Sequence, residues 1–537
     1  MKTEIDRDTL HYRIYLFSLT LLVCCLPLSR YLLSISQFML LLNWLAEAEF
    51  GKKLKILRGK PAVLLFISIF LVYLAGLFYT DNLHAGLVKI KNVLPLVLLP
   101  VVMSTSRPIS KKNCYQLFMF FVLAVSLAAT ICLFAYLSNP AASSRDFRKI
   151  SLFIPHIRFA LLIILAIIIL FYQVVFRPFP ITRLMQTTMV LLALCLVAFL
   201  FVLRSFAGIV ILFILASFFV TRTALLTQHR TVRYITLSLV LLVYALVVFS
   251  VAYVYFSDFT ASAVDPARLD KKTVNGNAYE QNPGDRLLEN GNYVNLYVCE
   301  PELRKEWNAR SLIPYDSADF KGQPVRNTLM RYLTSKGLRK DSAALSQLTM
   351  DEIHAIERGR ANYFFKTKPG LYQRLYETLW EIHVWRRTGF VSYHSFGQRI
   401  VFLQTAGKVI RNNFFTGVGT GDVYNVMMKS TPDRQRSIER RWKGEPHNQY
   451  AFFLMAFGIF GFVWIMVSWI YPVLKSHSYR YLLFNLFSAI MLISMTVLDT
   501  IESYDNMVFF AFFYSLFVFG LENSQKNLMT DNDHQAN

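Results

Sequence analysis

His447 stands where a long polar stretch gives way to an apolar run, in Pro446-His447-Asn448-Gln449-Tyr450. A neutral imidazole can take a proton from a hydroxyl near neutral pH. The Asn448 and Gln449 amides beside it suit either orienting that ring or binding hydroxyl groups. The plainer reading is a hydrogen-bonded structural histidine at a helix start. Three arginines stand at the edges of apolar runs: Arg158 in Pro155-His156-Ile157-Arg158, Arg204 in Leu203-Arg204-Ser205-Phe206-Ala207-Gly208, and Arg399 in Gly397-Gln398-Arg399. A guanidinium fork matches two oxygens of a diphosphate. Anchoring at a membrane surface is the competing role, since a charge at a helix end snorkels at modest cost.

Gly417-Val418-Gly419-Thr420-Gly421 has the glycine density of a phosphate loop, but no Gly-Lys-Ser/Thr follows and no strand pattern precedes it. It reads as a glycine-enabled turn after a helix, with Asp422 at the next N-cap. Asp422 and Glu445, carboxylates N-terminal to His447, both read as structural. The six cysteines show no CxxC or metal-ligand spacing. Only Cys299 lies in the large polar insertion, so no disulfide can form within it. Neither a metal nor a cofactor is expected.

The elements that must position these residues are apolar. Of 537 residues 55% are hydrophobic and only 17% charged, with mean hydropathy +0.39. A soluble protein of this length could not cover its surface so sparsely, and apolar runs near the roughly 20 residues that span a bilayer recur. The spans fall near 14–29, 31–46, 61–80, 85–103, 114–137, 157–176, 185–203, 206–221, 234–256, 447–474, 480–498 and 504–522. The expected fold is an all-α integral membrane protein of about 12 transmembrane helices with one large, mostly helical loop. Residues 1–256 carry the first nine helices, 257–446 the loop, 447–522 the last three, and 523–537 a tail. Leu22-Val23-Cys24 faintly suggests a lipoprotein cleavage site. Val23 is not small, however, and a second apolar run follows at once.

The net charge of +22 does not point to nucleic acid, because no compact basic stripe with a nucleic-acid motif exists. Basic residues gather in alternate short breaks at 51–60, 104–113, 177–183, 222–233 and 475–480, while 499–505 holds Asp499, Glu502 and Asp505 and no Lys or Arg. The positive-inside rule then places both termini in the cytoplasm and the 257–446 insertion outside it. Within the insertion, 258–292 reads as loop, and 345–360 and 371–387 as helices. Aromatic and basic residues interleave over 363–387, which fits both an interfacial helix on lipid headgroups and a simple packed face.

Arg399, the Gly-x-Gly-x-Gly turn, His447-Asn448-Gln449-Tyr450 and the following Phe457-Gly458-Ile459-Phe460-Gly461 resemble the signature region of the O-antigen ligase and polymerase superfamily of bacterial membrane glycosyltransferases. About 70 residues carry the motifs; helix number and the late large loop match in pattern. The resemblance implies a GT-C-like glycosyltransferase in the bacterial inner membrane, its active site facing the periplasm. It would move a glycan from undecaprenyl diphosphate to the lipid A-core sugar, with neither metal nor nucleotide. On that resemblance His447 is the catalytic base and Arg399 and Arg204 bind the diphosphate; Arg158, at a third helix start, is a weaker candidate ligand, and Asn448 and Gln449 are expected in support. Family members often have Thr-Gly after the arginine matched by Arg204, whereas Ser205-Phe206 follows here, and 258–390 matches no family motif.

The ligase branch is preferred to the polymerase branch, with transfer to protein hydroxyls a third outcome. A lipid-linked-sugar transporter is the rival from another class. It should show repeats and helices broken by polar residues at mid-membrane, and no half-to-half similarity is visible. The partners expected are the lipid-linked donor, the lipid A-core acceptor and membrane lipids.

Overall fold

The computed structural model describes residues 7–138, 150–261, 264–366, 370–388, 395–431 and 446–521. Among them the chain is mostly helical, and its one two-stranded ladder pairs Leu288–Glu289 with Asn292–Tyr293. Each apolar run marked in the sequence is helical over most of its described length, 85–103 as two helices, Leu83–Val93 and Pro95–Thr105. Seven helices are long and apolar enough to cross a membrane: Leu83–Thr105, Lys111–Ser138, His156–Phe176, Arg183–Val202, Phe206–Leu226, Arg230–Phe259 and Gln449–Ser476. Pro61–Ala75 meets the test only together with Phe50–Arg58, from which it is bent by 93°. Leu482–Met495 and Tyr504–Gly520 are apolar but shorter.

The chain forms two compact units, one of Met1–Ser138, Arg148–Thr227 and Phe402–Asn537, the other of Asn139–Phe147 and Gln228–Val401. By their contacts, residues 402–431 group with the apolar helices of the first unit and 228–256 with the polar insertion.

Two helices of the first unit are buried on every face. Phe159–Leu170 is buried without interruption within His156–Phe176, and so is Asp505–Ser515 within Tyr504–Ser515. A helix apolar all round belongs in a core. Around them phenylalanine packs densely: Phe66 stacks on Tyr514 with centroids 4.3 Å apart, and Phe487 meets Phe509 and Phe513 at 5.6 Å. Polar residues in the short breaks serve the helix ends. Ser29, Asn82, Thr182, Ser205 and Asn448 each accept a hydrogen bond from a first-turn amide. In lipid such donors find no water, so these caps are required by composition.

The glycine cluster at 417–421 and Gly458 form one packing device in this unit. Gly458 takes φ +60° and ψ −167°, which breaks the helix Gln449–Ser476 and frees carbonyls before it. Val418 N donates to Met455 O at 2.8 Å, Gly419 N to Ala456 O at 2.9 Å, and Ile459 N to Phe414 O at 2.8 Å. A Cβ at Gly458 would overlap the Phe415 carbonyl, and one at Gly421 would overlap the Asn82 carbonyl. Replacing Gly458 by Ala combines that overlap with a backbone region that L-residues rarely adopt. We expect it to remove at least ~2 kcal/mol of stability, read as a lowered thermal midpoint of the detergent-purified protein. An unchanged midpoint would show that the kink is not required.

The second unit has its own core, in which Trp307, Tyr315, Leu329, Leu333, Ile353 and Ile356 are almost fully buried. The stretch read as a single helix over 345–360 is two, Ser342–Ser346 and Met350–Glu357, because Thr349 and Glu352 form a reciprocal capping box that starts the second. Over 372–384 the interleaved segment forms a packed face. Tyr376, Leu379, Trp380 and Val384 of Gly370–Thr388 pack on Val254 and Phe259, and the Arg331 guanidinium lies 3.4 Å from the Trp380 ring centroid. Helical spacing had left both readings open, and the partners on Arg230–Phe259 decide between them.

Lys340 is buried in this unit, its Nζ donating to the carbonyls of Tyr293 and Leu296 at 2.9 and 3.0 Å. Desolvation pushes its pKa down to about 7, against about 10.4 in an unfolded chain. Between those values the unfolded state binds the extra proton, so stability rises with pH through the window and falls back toward pH 7. The slope approaches about 1.4 kcal/mol per pH unit at most. Hydrogen exchange of the second unit in the intact protein should show it, and Lys340→Met should flatten it. The same slope in the variant would assign it to another group.

Candidate functional site

The site is built around 499–505, the link between Leu482–Met495 and Tyr504–Ser515. Its three carboxylates are buried and each is held differently. Glu502 accepts from Tyr73 Oη at 2.8 Å and Gln449 Nε2 at 2.8 Å on one oxygen, and from Lys89 Nζ at 2.9 Å on the other. The Lys89 ammonium also lies 4.7 Å from the Phe452 ring centroid. Asp505 accepts from Arg30 Nε at 2.6 Å and faces Arg158 Nη1 at 3.6 Å. Its second oxygen, Oδ1, is buried with no hydrogen-bond partner.

Asp499 holds the histidine. Its side chain is 4% exposed and accepts from the backbone amides of His447 at 3.1 Å and Asn448 at 2.9 Å. His447 has φ +50°, uncommon for a non-glycine residue, and the two bonds to Asp499 pin it there. The imidazole Nδ1 lies 4.0 Å from Asp499 Oδ2, too far for a hydrogen bond but within ion-pair range once the ring is protonated. Phe402 covers the ring with centroids 5.9 Å apart. An imidazole held beside a buried carboxylate can accept a proton and have the resulting cation stabilised.

The amides next to His447 are already committed. Asn448 Oδ1 accepts from Ala451 N while its Nδ2 donates to Thr496 O. Gln449 is fully buried between Glu502 and the Ile501 amide. Of the two roles open to them in the sequence, these bonds serve positioning: they tie the 446–450 segment to the 496–502 segment.

Arg158 and His447 are therefore both tied to one link of seven residues. Arg204 stands at the same end of the first unit, since its turn packs on the start of His156–Phe176: a Cβ at Gly208 would lie 2.7 Å from Ala160 Cβ. Arg204 itself has φ +50°, and its guanidinium takes no hydrogen-bond or ion-pair partner among the described residues. Arg399 is half-buried near the start of Ser395–Asn412 and belongs to the second unit.

The Gly-x-Gly-x-Gly turn has no amides to offer a phosphate. Those of Val418, Gly419, Thr420 and Gly421 are spent on Met455, Ala456, Gly76 and Thr80. Asp422 does start Val423–Ser430, but its side chain makes no cap. Its oxygens accept instead from Thr80 Oγ1 and from the amides of Asp81 and Asn82. The expected side-chain cap is thus replaced by a clamp on the 80–82 loop, whose amides satisfy the carboxylate better than one helix end would. Glu445 lies outside the described residues. Among those described, no group of three His, Cys, Asp or Glu is arranged to hold a metal ion.

Sequence reasoning weighed Asp499, Glu502 and Asp505 only for topology and passed over Arg30, Lys89 and Tyr73. The signal was present: three carboxylates at intervals of three, between two apolar helices with no Lys or Arg among them. Ionisable groups in such a place need partners on other helices. Those partners are hundreds of residues away, which no local pattern reveals.

This is a predominantly helical chain, with seven helices fit to cross a membrane and a paired ionic cluster at one end of its first unit. In comparison with known proteins it matches no family model, and no curated protein matches it in sequence.

Proposed function

We propose that this chain is a metal-independent glycosyltransferase of the O-antigen ligase type, acting at the periplasmic face of a bacterial inner membrane. The observation that carries the reading is His447, pinned by Asp499 at the end of the unit where Arg158 and Arg204 also stand. The motif resemblance supplies the reaction. A hydroxyl of the lipid A-core sugar attacks the anomeric carbon of a glycan on undecaprenyl diphosphate. The glycosidic bond forms as the bond to the diphosphate breaks, and the hydroxyl proton passes to His447. Undecaprenyl diphosphate leaves with the electron pair, and its negative charge calls for guanidinium donors more than for a proton.

Arg204 and Arg158 are the proposed diphosphate ligands from the first unit, and Arg399 the third. A single displacement inverts the anomeric carbon. A retaining reaction would want a free carboxylate nucleophile near its acid partner. Asp499, the carboxylate beside His447, is already bonded to two amides.

In this reading about twelve helices cross the membrane, Leu482–Met495 and Tyr504–Gly520 among them, and the polar 257–446 insertion faces the periplasm. The basic breaks at 51–60, 104–113 and 475–480 support that orientation by the positive-inside rule.

A deletion strain tests the proposal through its lipopolysaccharide profile and the glycan on its lipid carrier. Long glycan accumulating on undecaprenyl diphosphate, with bare lipid A-core, is the expected result. Single repeat units capping the core would replace ligase by polymerase. An unchanged profile would turn attention to protein glycosylation or to transport.

A further inference from the structure

A cavity of about 360 Å³ opens in the first unit between Phe206–Leu226 and Leu482–Met495. Its walls are apolar, with Ile214, Phe218, Leu486 and Ile493 among them, and Arg222 and Arg480 stand together in its lining. Arg222 is in the last turns of Phe206–Leu226, and Arg480 ends the short turn Ser478–Arg480 that precedes Leu482–Met495. The two guanidinia are therefore gathered at one end of the groove, and its apolar walls run away from them along both helices. From Arg222 back to Ile214 is eight residues, or ~12 Å at 1.5 Å per residue, and from Leu482 to Ile493 eleven, or ~16 Å.

The charge is unanswered from within. Among the described residues neither arginine has a carboxylate partner; Arg480 rests 5.9 Å from the Tyr479 ring centroid, and the lining holds no Asp or Glu. The third polar side chain in the lining, Asn485, is turned back to the Tyr479 carbonyl at 2.7 Å. An apolar trough about as long as two to three helical turns, closed at one end by two unpaired cations, has the outline of an acyl chain below a charged headgroup. Basic pockets between membrane helices bind anionic headgroups on these grounds.

We infer that this groove is a binding site for a phospholipid of net negative charge. The headgroup phosphate lies between Arg222 and Arg480, and one acyl chain follows Phe218, Ile214 and Ile493 toward the middle of the unit. The site stands at the opposite end of Phe206–Leu226 from the Arg204 turn, so it is separate from the His447 cluster and does not rest on the glycosyltransferase reading.

Native mass spectrometry of the full-length protein from mixed micelles of dioleoylphosphatidylglycerol and dioleoylphosphatidylcholine tests it. One phosphatidylglycerol should be retained in preference to phosphatidylcholine by about 10- to 30-fold, two arginines near an anionic headgroup being worth that much. Arg222→Ala with Arg480→Ala should abolish the preference. Ala489→Trp, which fills the groove and leaves both charges, should abolish retention of either lipid, with monodispersity on size exclusion confirming that each variant is folded. Equal retention of the two lipids by the unaltered protein would overturn the inference. So would a preference that survives the double arginine variant, or displacement of the lipid by millimolar inorganic phosphate, which would show an anion site needing no acyl chain.

Discussion

Purified protein carrying His447→Ala, reconstituted with an undecaprenyl-diphosphate glycan and a lipid A-core acceptor, is expected to lose transfer by about 10²–10⁴-fold while binding donor as before. The acceptor hydroxyl is a poor acid, and no other described side chain is placed as His447 is, on a pinned backbone with a buried carboxylate 4.0 Å from its ring. The leaving group of the proposed reaction needs no protonation, so the residual rate should come from the arginines proposed to bind the diphosphate.

Two further readouts separate a catalytic histidine from a structural one. His447→Ala removes only the side chain, and the two bonds Asp499 makes to backbone amides survive. The variant should therefore reach the membrane in normal amount and keep its thermal midpoint. A structural histidine would instead lower both. Transfer near the wild-type rate would remove His447 from the mechanism, and product with the donor's anomeric configuration retained would remove the single displacement. Arg204→Ala should act in the complementary way, raising the donor concentration needed, because its guanidinium has no described partner whose loss would unfold the turn.

The apolar runs were legible because period and length are local properties of a sequence. Helix ends were less legible: Asp422, the one cap read in the sequence, makes no side-chain cap, whereas Ser29, Asn82, Thr182 and Asn448 do. What could not be read was how long each helix stays regular. Pro95 starts a new helix within 83–105, and Gly458 breaks the helix that begins at Gln449. The glycine turn was read rightly as a turn, but its purpose was not visible. The carbonyls it satisfies belong to a kink almost 40 residues further on, and the kink depends on a glycine conformation rather than on a motif.

The site was half legible for a related reason. His447 announces itself beside an apolar run, whereas Asp499 matters only because folding brings its oxygens to the His447 and Asn448 amides. Arg158 looked like a membrane anchor or a diphosphate ligand, and in the fold it faces Asp505. One Asp505 oxygen thus faces both Arg30 and Arg158, a pairing between distant helices that no local pattern reveals.

Glu502→Ala is expected to carry the largest stability penalty in the first unit, on the order of 3–5 kcal/mol. One carboxylate there satisfies the Tyr73 hydroxyl, the Gln449 amide and the Lys89 ammonium, all at 2.8–2.9 Å. Removing it takes a carboxylate from the Lys89 ammonium and an acceptor from the buried Tyr73 and Gln449 donors, and in an apolar surrounding each loss is costly. Glu502→Gln keeps an acceptor for Tyr73 but not the charge, so it should fall between wild type and Ala. The decisive comparison is the double variant. If the penalty comes mainly from stranding the Lys89 charge, Lys89→Met in the Glu502→Ala background should recover part of the lost stability, giving a coupling above ~1 kcal/mol. Thermal unfolding of the four proteins in one detergent measures it. Additive losses would mean that Glu502 acts through Tyr73 and Gln449 alone, and that the link to Lys89 is an incidental contact at the edge of the cluster. Because Gln449 adjoins the segment that carries His447, the same variant should also reduce transfer beyond what its folded fraction explains.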